Sequence, residues 1–302
     1  MSGLFQDVFC ASADGLRLHA RDISPRPSDD RGTLPVLCLP VLCLPGLTRT
    51  AADFEALGLA LASDRETPRR VVAIDYRGRG QSDFDPDPAN YAIPIEMGDV
   101  TAIATHLGIA RAIIVGTSRG GLIAMTLAAV KSPLLAGVVL NDVGPVLEMA
   151  GLVRIKGYVG ARPAPASWDE AARGVKAMFG REFPNLTDAE WLAWARRSWR
   201  ETGGRFEQTY DPALAQTLAA LDPEAPLPQL WEAFDALATM PLMLVHGGLS
   251  NLLSRDTVQA MAARRPDLAL VEVADQGHAP LLTDAPSIAQ IAAFCRRCDQ
   301  AT

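Results

Sequence analysis

The stretch Ala112-Ile113-Ile114-Val115-Gly116-Thr117-Ser118-Arg119-Gly120-Gly121-Leu122-Ile123-Ala124-Met125 changes character halfway along. Its opening is a continuous apolar run rich in Ile and Val, as a strand covered on both faces requires, and its end reads as the start of an apolar helix. Between the two lies Gly-x-Ser-x-Gly. A serine at a sharp strand-to-helix turn projects above the edge of a sheet. Flanking glycines remove the Cβ clashes that so tight a turn creates, and the first N–H groups of the helix point toward any negative charge developing beside the serine. Ser118 is therefore the candidate nucleophile, and the unit around it is a first piece of a parallel α/β sheet.

The same alternation extends in both directions. Strand patterns are read at Asp7–Ala11, Leu16–Asp22, a run ending at Leu44, Arg70–Asp75, Ala112–Val115, Ala136–Asn141, Leu242–His246 and Leu268–Val273. Helical patterns fall between them at Ala51–Ala62, Ile95–Leu107, Arg119–Lys131, Asp256–Arg264 and Ala285–Cys295. Strands alternating with helices predict a mostly parallel eight-stranded sheet with helices on both faces, an α/β fold. The alternation stops between Pro145 and Thr239, where only helical patterns are read. Residues 145–239 are thus expected to be an inserted helical unit, with 1–144 and 240–302 forming the core. All five tryptophans, Trp168, Trp191, Trp194, Trp199 and Trp231, lie in that insertion. They either bind the helical unit to the sheet or line a cavity. Thr187-Asp188-Ala189-Glu190 is a capping box that opens one of its helices.

Composition narrows the partners. The chain has 302 residues, 28 Lys and Arg against 35 Asp and Glu, and a net charge of -7. That leaves no basic field for a nucleic acid or an anionic membrane surface. The longest apolar run, Leu34–Leu47, contains three prolines and is too short to span a bilayer. Met1–Cys10 carries neither a basic n-region nor an apolar h-region, so no secretory signal is expected and the cytoplasm is the default location. The five cysteines, Cys10, Cys38, Cys43, Cys295 and Cys298, are odd in number and scattered. The Cys295/Cys298 pair lacks the second ligand pair of a zinc site, so ordinary thiols are expected, with no metal and no cofactor.

Pro35-Val36-Leu37-Cys38-Leu39 is repeated at once as Pro40-Val41-Leu42-Cys43-Leu44. A five-residue copy is odd in strand period, so a single strand through both would turn each copied side chain to the opposite face. Pro40 also lacks the N–H that an interior strand donates. One copy is therefore expected in the sheet, and it should be Val41–Leu44, which leads directly into Pro45-Gly46-Leu47.

Ser118 needs a base. Of the four histidines, His19 and His106 precede it and read as a strand residue and a helix-face residue. His246 closes a strand. His278, in Asp275-Gln276-Gly277-His278-Ala279-Pro280, follows the last strand and precedes the last helix, where a side chain can reach across to the serine, and chain order favours it.

With these motifs placed, the chain resembles the α/β-hydrolase superfamily, in particular serine esterase- and lactonase-like members with a helical cap. Leu44-Pro45-Gly46-Leu47-Thr48 is similar to that family's oxyanion loop, and Asp75-Tyr76-Arg77-Gly78-Arg79-Gly80-Gln81-Ser82 to its turn after the fourth strand. The resemblance implies Leu47 and Arg119 backbone N–H groups as oxyanion donors and places a helical cap at 145–239. It also implies an Asp after the seventh strand, where this chain reads Gly247-Gly248-Leu249-Ser250-Asn251. Asn251 thus stands at the family's acid position. Asp142, at the end of the sixth strand, is the alternative acid, and Asp256 reads as a helix-start charge. The implied activity is cofactor-free hydrolysis of a small carboxylic ester or lactone by Ser118 and His278. The alternatives are C–C bond hydrolysis or perhydrolysis on the same residues, and a ligand-binding or catalytically disabled protein.

Overall fold

A computed structural model describes residues 5–25 and 38–301. The first two strands, β1 (Phe5–Ala11) and β2 (Arg17–Ile23), form an antiparallel hairpin, followed by β3 (Val41–Leu44), β4 (Val71–Asp75), β5 (Ala112–Thr117) and β6 (Leu135–Asn141). After the long insertion, which contains the short strands β7 (Trp199–Thr202) and β8 (Arg205–Gln208), come β9 (Leu242–Gly247) and β10 (Ala269–Val273). The eight-stranded sheet has the order β1-β2-β4-β3-β5-β6-β9-β10. Its first two pairings are antiparallel and the rest parallel.

Every residue of β3, β4, β5, β6 and β9 is buried, which explains their unbroken apolar sequences. Alternate side chains feed two cores. Leu42, Leu44, Ile114, Val138, Leu140 and Leu244 face one side, with helices α2 (Ile93–His106) and α3 (Arg119–Ala129). Val41, Cys43, Ile113, Val115, Val139 and Val245 face the other, with α1 (Glu55–Ala62). Cys295 and Cys298 belong to this second core, and burial pushes both thiols up to about 12.

The second copy of the repeat is the strand in the middle of the sheet, paired with β4 and β5 on either side. The ladder begins at the one backbone polar group Pro40 has: its carbonyl accepts the Ile113 N–H at 2.9 Å, and its missing N–H is not called on. Of the first copy, Pro35, Val36 and Leu37 lie outside the described residues. Leu39 donates its N–H to Asp299 at 3.0 Å and accepts from Arg69 at 3.1 Å.

The 145–239 region comprises α4 (Met149–Tyr158), α5 (Trp168–Phe179), α6 (Asp188–Ser198), the β7–β8 hairpin and α7 (Trp231–Asp235). The hairpin departs from the expected helices-only reading. Gly203 and Gly204 turn it with φ of 59° and 79°, the left-handed geometry that matches strand twist. The Thr187 capping box is formed as read. Trp191 stacks on Trp194 at 5.6 Å, and Phe183 meets Trp194 edge-on at 5.0 Å. Backbone bonds fasten this region to the turn after β4: Gly80 N–H to Thr209 O at 2.7 Å and Asp211 N–H to Gly78 O at 2.8 Å. Two further helices complete the chain, α8 (Arg255–Arg264) and α9 (Ala285–Gln300). Among the described residues no helix is long and apolar enough to cross a membrane.

Candidate active site

Ser118 sits between β5 and α3 with φ 51° and ψ −112°, a left-handed backbone that a side chain adopts only when its surroundings enforce it. The enforcement comes from close approach. A Cβ on Gly116 would stand 2.6 Å from the Gly120 backbone, and one on Gly120 would stand 2.1 Å from the Leu44 carbonyl oxygen. Both are impossible contacts, so the two glycines are what allow the turn to fold against β3. The Ser118 N–H donates to Asn141 O at 3.0 Å and hooks the turn to the end of β6.

His278 lies in the loop after β10, with its Nε2 at 2.9 Å from Ser118 Oγ. Asn141 locates that loop. Its side-chain amide donates to Pro280 O at 2.9 Å and to Thr117 Oγ1 at 3.0 Å, spanning the histidine loop and the elbow. Gln276 Oε1 closes the loop by accepting the Leu281 N–H at 2.8 Å.

On the other side of the ring, Nδ1 of His278 stands 2.8 Å from Asp142 Oδ2. Asp142 is fully buried and also has a left-handed backbone, φ 56°, a region that Asp tolerates better than most residues. Its carboxylate accepts two further bonds, from the Gly247 N–H at 2.9 Å and from Ser250 Oγ at 2.7 Å. A carboxylate at Nδ1 accepts a proton there, which leaves Nε2 as the acceptor facing the serine hydroxyl.

The reading of Asn251 as the residue facing His278 is corrected. Its amide donates instead to Glu182 Oε1 at 3.0 Å, and Ser250 is the residue of that loop that reaches the Asp142 carboxylate. The loop turns through Ser250 N–H to Gly247 O at 2.9 Å, which aims the serine inward and turns Asn251 toward the 145–239 region. Asp256 lies exposed in the first turn of α8, away from the ring.

The Leu47 and Arg119 peptides flank the serine. Leu47 lines the same cavity as Ser118, and a Cβ on the preceding Gly46 would stand 3.8 Å from Ser118 Cβ. Arg119 is the first residue of α3, where a backbone N–H has no helical carbonyl to meet. A feature absent from the sequence reading links the two: the fully buried Glu96 of α2. One oxygen stands 2.6 Å from Arg79 Nη1 and the other accepts from Arg119 Nε at 2.5 Å. Arg79 Nε in turn donates to Leu47 O at 2.9 Å. A single carboxylate thus braces both peptides through two arginines.

The cavity over Ser118 is narrow, about 70 Å³, and its wall includes Tyr158, Phe179, Trp194 and Tyr210. The two tryptophan readings divide: Trp194 lines the cavity, whereas Trp191 and Trp199 are buried in the aromatic cluster of the 145–239 region. Burial pushes the Tyr158 phenol up to about 12 and pulls the Arg49 guanidinium below its usual range.

Against known proteins, residues 41–291 match the model of the "Alpha/beta hydrolase family". The chain belongs to the alpha/beta hydrolase family. The hydrolase is 35% identical to the 3-hydroxybutyrate-oligomer hydrolase of Cupriavidus necator, over 81% of this chain and 84% of that protein. It is 29% identical to the 2-(acetamidomethylene)succinate hydrolase of Mesorhizobium japonicum, over 77% and 79% of the two chains. Among solved structures, an alpha/beta hydrolase from Novosphingobium aromaticivorans superposes with a TM-score of 0.86 at 38% identity, covering 98% of this chain and 100% of that one.

The remaining histidines of the hydrolase are held elsewhere. His246 Nε2 stands 3.1 Å from Leu253 O. His19 lies between Asp75 at 2.6 Å and Asp7 at 3.0 Å. His106 is exposed in the last turn of α2. Among the described residues no group of three His, Cys, Asp or Glu side chains converges as a metal cage would.

Proposed function

We propose that this hydrolase cleaves a small carboxylic ester or lactone through an acyl-enzyme, with Ser118 as nucleophile, His278 as general base and acid, and Asp142 as the carboxylate that orients it. The observation carrying this reading is the unbroken relay from Ser118 Oγ to His278 Nε2, 2.9 Å, and from His278 Nδ1 to Asp142 Oδ2, 2.8 Å. Ser118 gives its proton to Nε2 as Oγ attacks the ester carbonyl. The charge on the carbonyl oxygen develops beside the Leu47 and Arg119 N–H groups, which the Glu96 brace holds fixed. The imidazolium then protonates the departing alcohol. Water repeats the sequence on the acyl-enzyme, so ester and water leave as acid and alcohol. Residues 145–239 act as a cap that closes the cavity over the core.

Asp142 Oδ2 at 2.8 Å from His278 Nδ1 supports a working relay over a disabled hydrolase, for which the amide at position 251 is the argument. The 35% identical relative's name, a 3-hydroxybutyrate-oligomer hydrolase, favours esters of short hydroxy acids over long acyl chains, as does the narrow cavity. Turnover of p-nitrophenyl butyrate, with stoichiometric labelling of Ser118 by a fluorophosphonate, tests the reading. Ser118→Ala should abolish both while leaving the melting temperature within a few degrees, because the side chain is only partly buried. Undiminished turnover in Ser118→Ala would refute it.

A further inference from the structure

Two arginines, Arg49 and Arg162, line the cavity that holds Ser118, and no Asp or Glu lines it with them. Arg49 has a carboxylate nearby, Asp53 at 3.6 Å, but shares it with Arg197, which bonds to the same oxygen at 2.9 Å. Arg162 has none: among the described residues no carboxylate comes within ion-pairing distance of its guanidinium. Its Nη1 meets the weak acceptor Met178 Sδ at 3.9 Å, and its Nε is buried without an acceptor. Trp199 and Tyr210 lie beneath the guanidinium at 5.3 Å and 6.0 Å, aromatic faces that hold the cation in place without neutralising it.

A second buried donor is adjacent. Gln208 accepts the Arg162 backbone N–H through Oε1 at 3.1 Å, and its Nε2 is also buried without an acceptor. Buried donors are almost always paired, because leaving one unmatched forfeits its hydration. An arginine that lines the cavity with a buried unmatched donor and no carboxylate, next to a second positive charge, matches one ligand chemistry: a small anion whose planar pair of oxygens fits a guanidinium fork.

We infer that Arg162, supported by Arg49, binds a free carboxylate on the substrate, so that the preferred esters are half-esters or hydroxy-acid esters with one ionised end. This deepens the proposed ester hydrolysis and rests on it for the reaction, though not for the binding. A neutral ester of the same length leaves the guanidinium without its counter-charge and should be the poorer substrate.

The test uses monomethyl glutarate, with one carboxylate, and dimethyl glutarate, with none. Calorimetric titration of the full-length Ser118→Ala protein reads binding without turnover, and kcat/KM of the unsubstituted enzyme reads the reaction. The half-ester should bind about 10- to 100-fold more tightly than the diester, as expected for loss of a charge-assisted hydrogen bond. Arg162→Gln should erase that ratio, and Arg162→Lys, keeping charge but not fork, should restore part of it. Arg173→Gln, which removes an exposed arginine of α5, should leave the ratio as it was. Equal affinity for the two esters, a ratio that survives Arg162→Gln, or equal competition by inorganic phosphate would overturn the inference even with ester hydrolysis intact. Conversely, an Arg162-dependent preference in binding with no hydrolysis of either ester would sink the assignment of Ser118 and leave the carboxylate site standing. Circular dichroism of each variant, with Arg162→Lys as the less disruptive change, separates loss of binding from loss of fold.

Discussion

Asp142→Asn is the sharpest single perturbation, because the environment of Asp142 dictates how the new amide must lie. One oxygen accepts the Gly247 N–H at 2.9 Å, a backbone donor that cannot turn away. The amide oxygen must stay there, which puts the NH2 where Oδ2 now faces His278 Nδ1 at 2.8 Å and Ser250 Oγ at 2.7 Å. An NH2 facing Nδ1 donates to it and selects the tautomer with its proton on Nε2, pointing at Ser118. The base is then already protonated where it must accept. A comparable change in a serine protease lowers turnover by about 10⁴, or roughly 5.5 kcal/mol of barrier. Asp142→Asn should therefore cut kcat on p-nitrophenyl butyrate by about 10³- to 10⁴-fold, with KM changed little. The companion Asn251→Asp should not raise kcat. It replaces a donor to Glu182 at 3.0 Å by a second carboxylate, and should destabilise the fold by about 1–3 kcal/mol. A folded Asp142→Asn enzyme retaining a tenth of its activity, or an Asn251→Asp enzyme accelerated tenfold, refutes the argument.

Glu96→Gln should lower kcat while costing about 3 kcal/mol of stability, because it leaves the buried Arg79 and the partly buried Arg119 without the carboxylate they share; activity unchanged at a temperature where the variant is folded would dissociate the brace from the oxyanion peptides. Gly120→Ala, which drives a Cβ to 2.1 Å from Leu44 O, should destabilise by about 3 kcal/mol in urea unfolding, and a neutral result would mean that the elbow can open away from β3. Burial holds the Glu182 carboxyl above its ordinary value, against the opposing pull of Arg154. The folded state then binds that proton more readily than the unfolded chain, so Glu182 contributes a loss of stability as pH rises from the ordinary carboxyl range through the raised folded value. Glu182→Gln should flatten that part of the stability profile, and an identical slope in both proteins would count against it.

The sheet was legible because its inner strands are buried on both faces and so spell themselves as unbroken runs such as Ile113-Ile114-Val115 and Val138-Val139-Leu140. The Ser118 turn was legible because it carries the glycines a tight turn requires, and the His278 loop because it follows the last strand pattern and precedes the last helical one. The β7–β8 hairpin carried a signal too, Gly203-Gly204 between short polar-apolar runs, but it lay in a region whose helical periodicity dominated. Asp142 was harder to assign. Nothing local distinguishes a strand-end aspartate from a turn carboxylate, and only the three-dimensional meeting of β6, the β9 loop and the β10 loop brings His278 to it. Glu96 and Arg162 lie far along the chain from Ser118 and were invisible for the same reason. A buried carboxylate between two arginines, and an arginine with none among the described residues, are facts about neighbours in space.

With Asp142 seated at the end of β6, the loop after β9 reaches its carboxylate through Ser250 and turns its next two residues elsewhere. Those two residues fasten: Asn251 holds Glu182, and Leu252 O accepts the Glu148 N–H at 2.9 Å. The two jobs have separate addresses. Side-chain changes at 251 and 252 should alter how firmly the 145–239 region is held, and with it product escape, while the Ser250 bond to Asp142 stays in place. Selection or laboratory evolution can therefore adjust the tempo of this enzyme without renegotiating its chemistry, a freedom denied to any relative whose acid sits in that same loop.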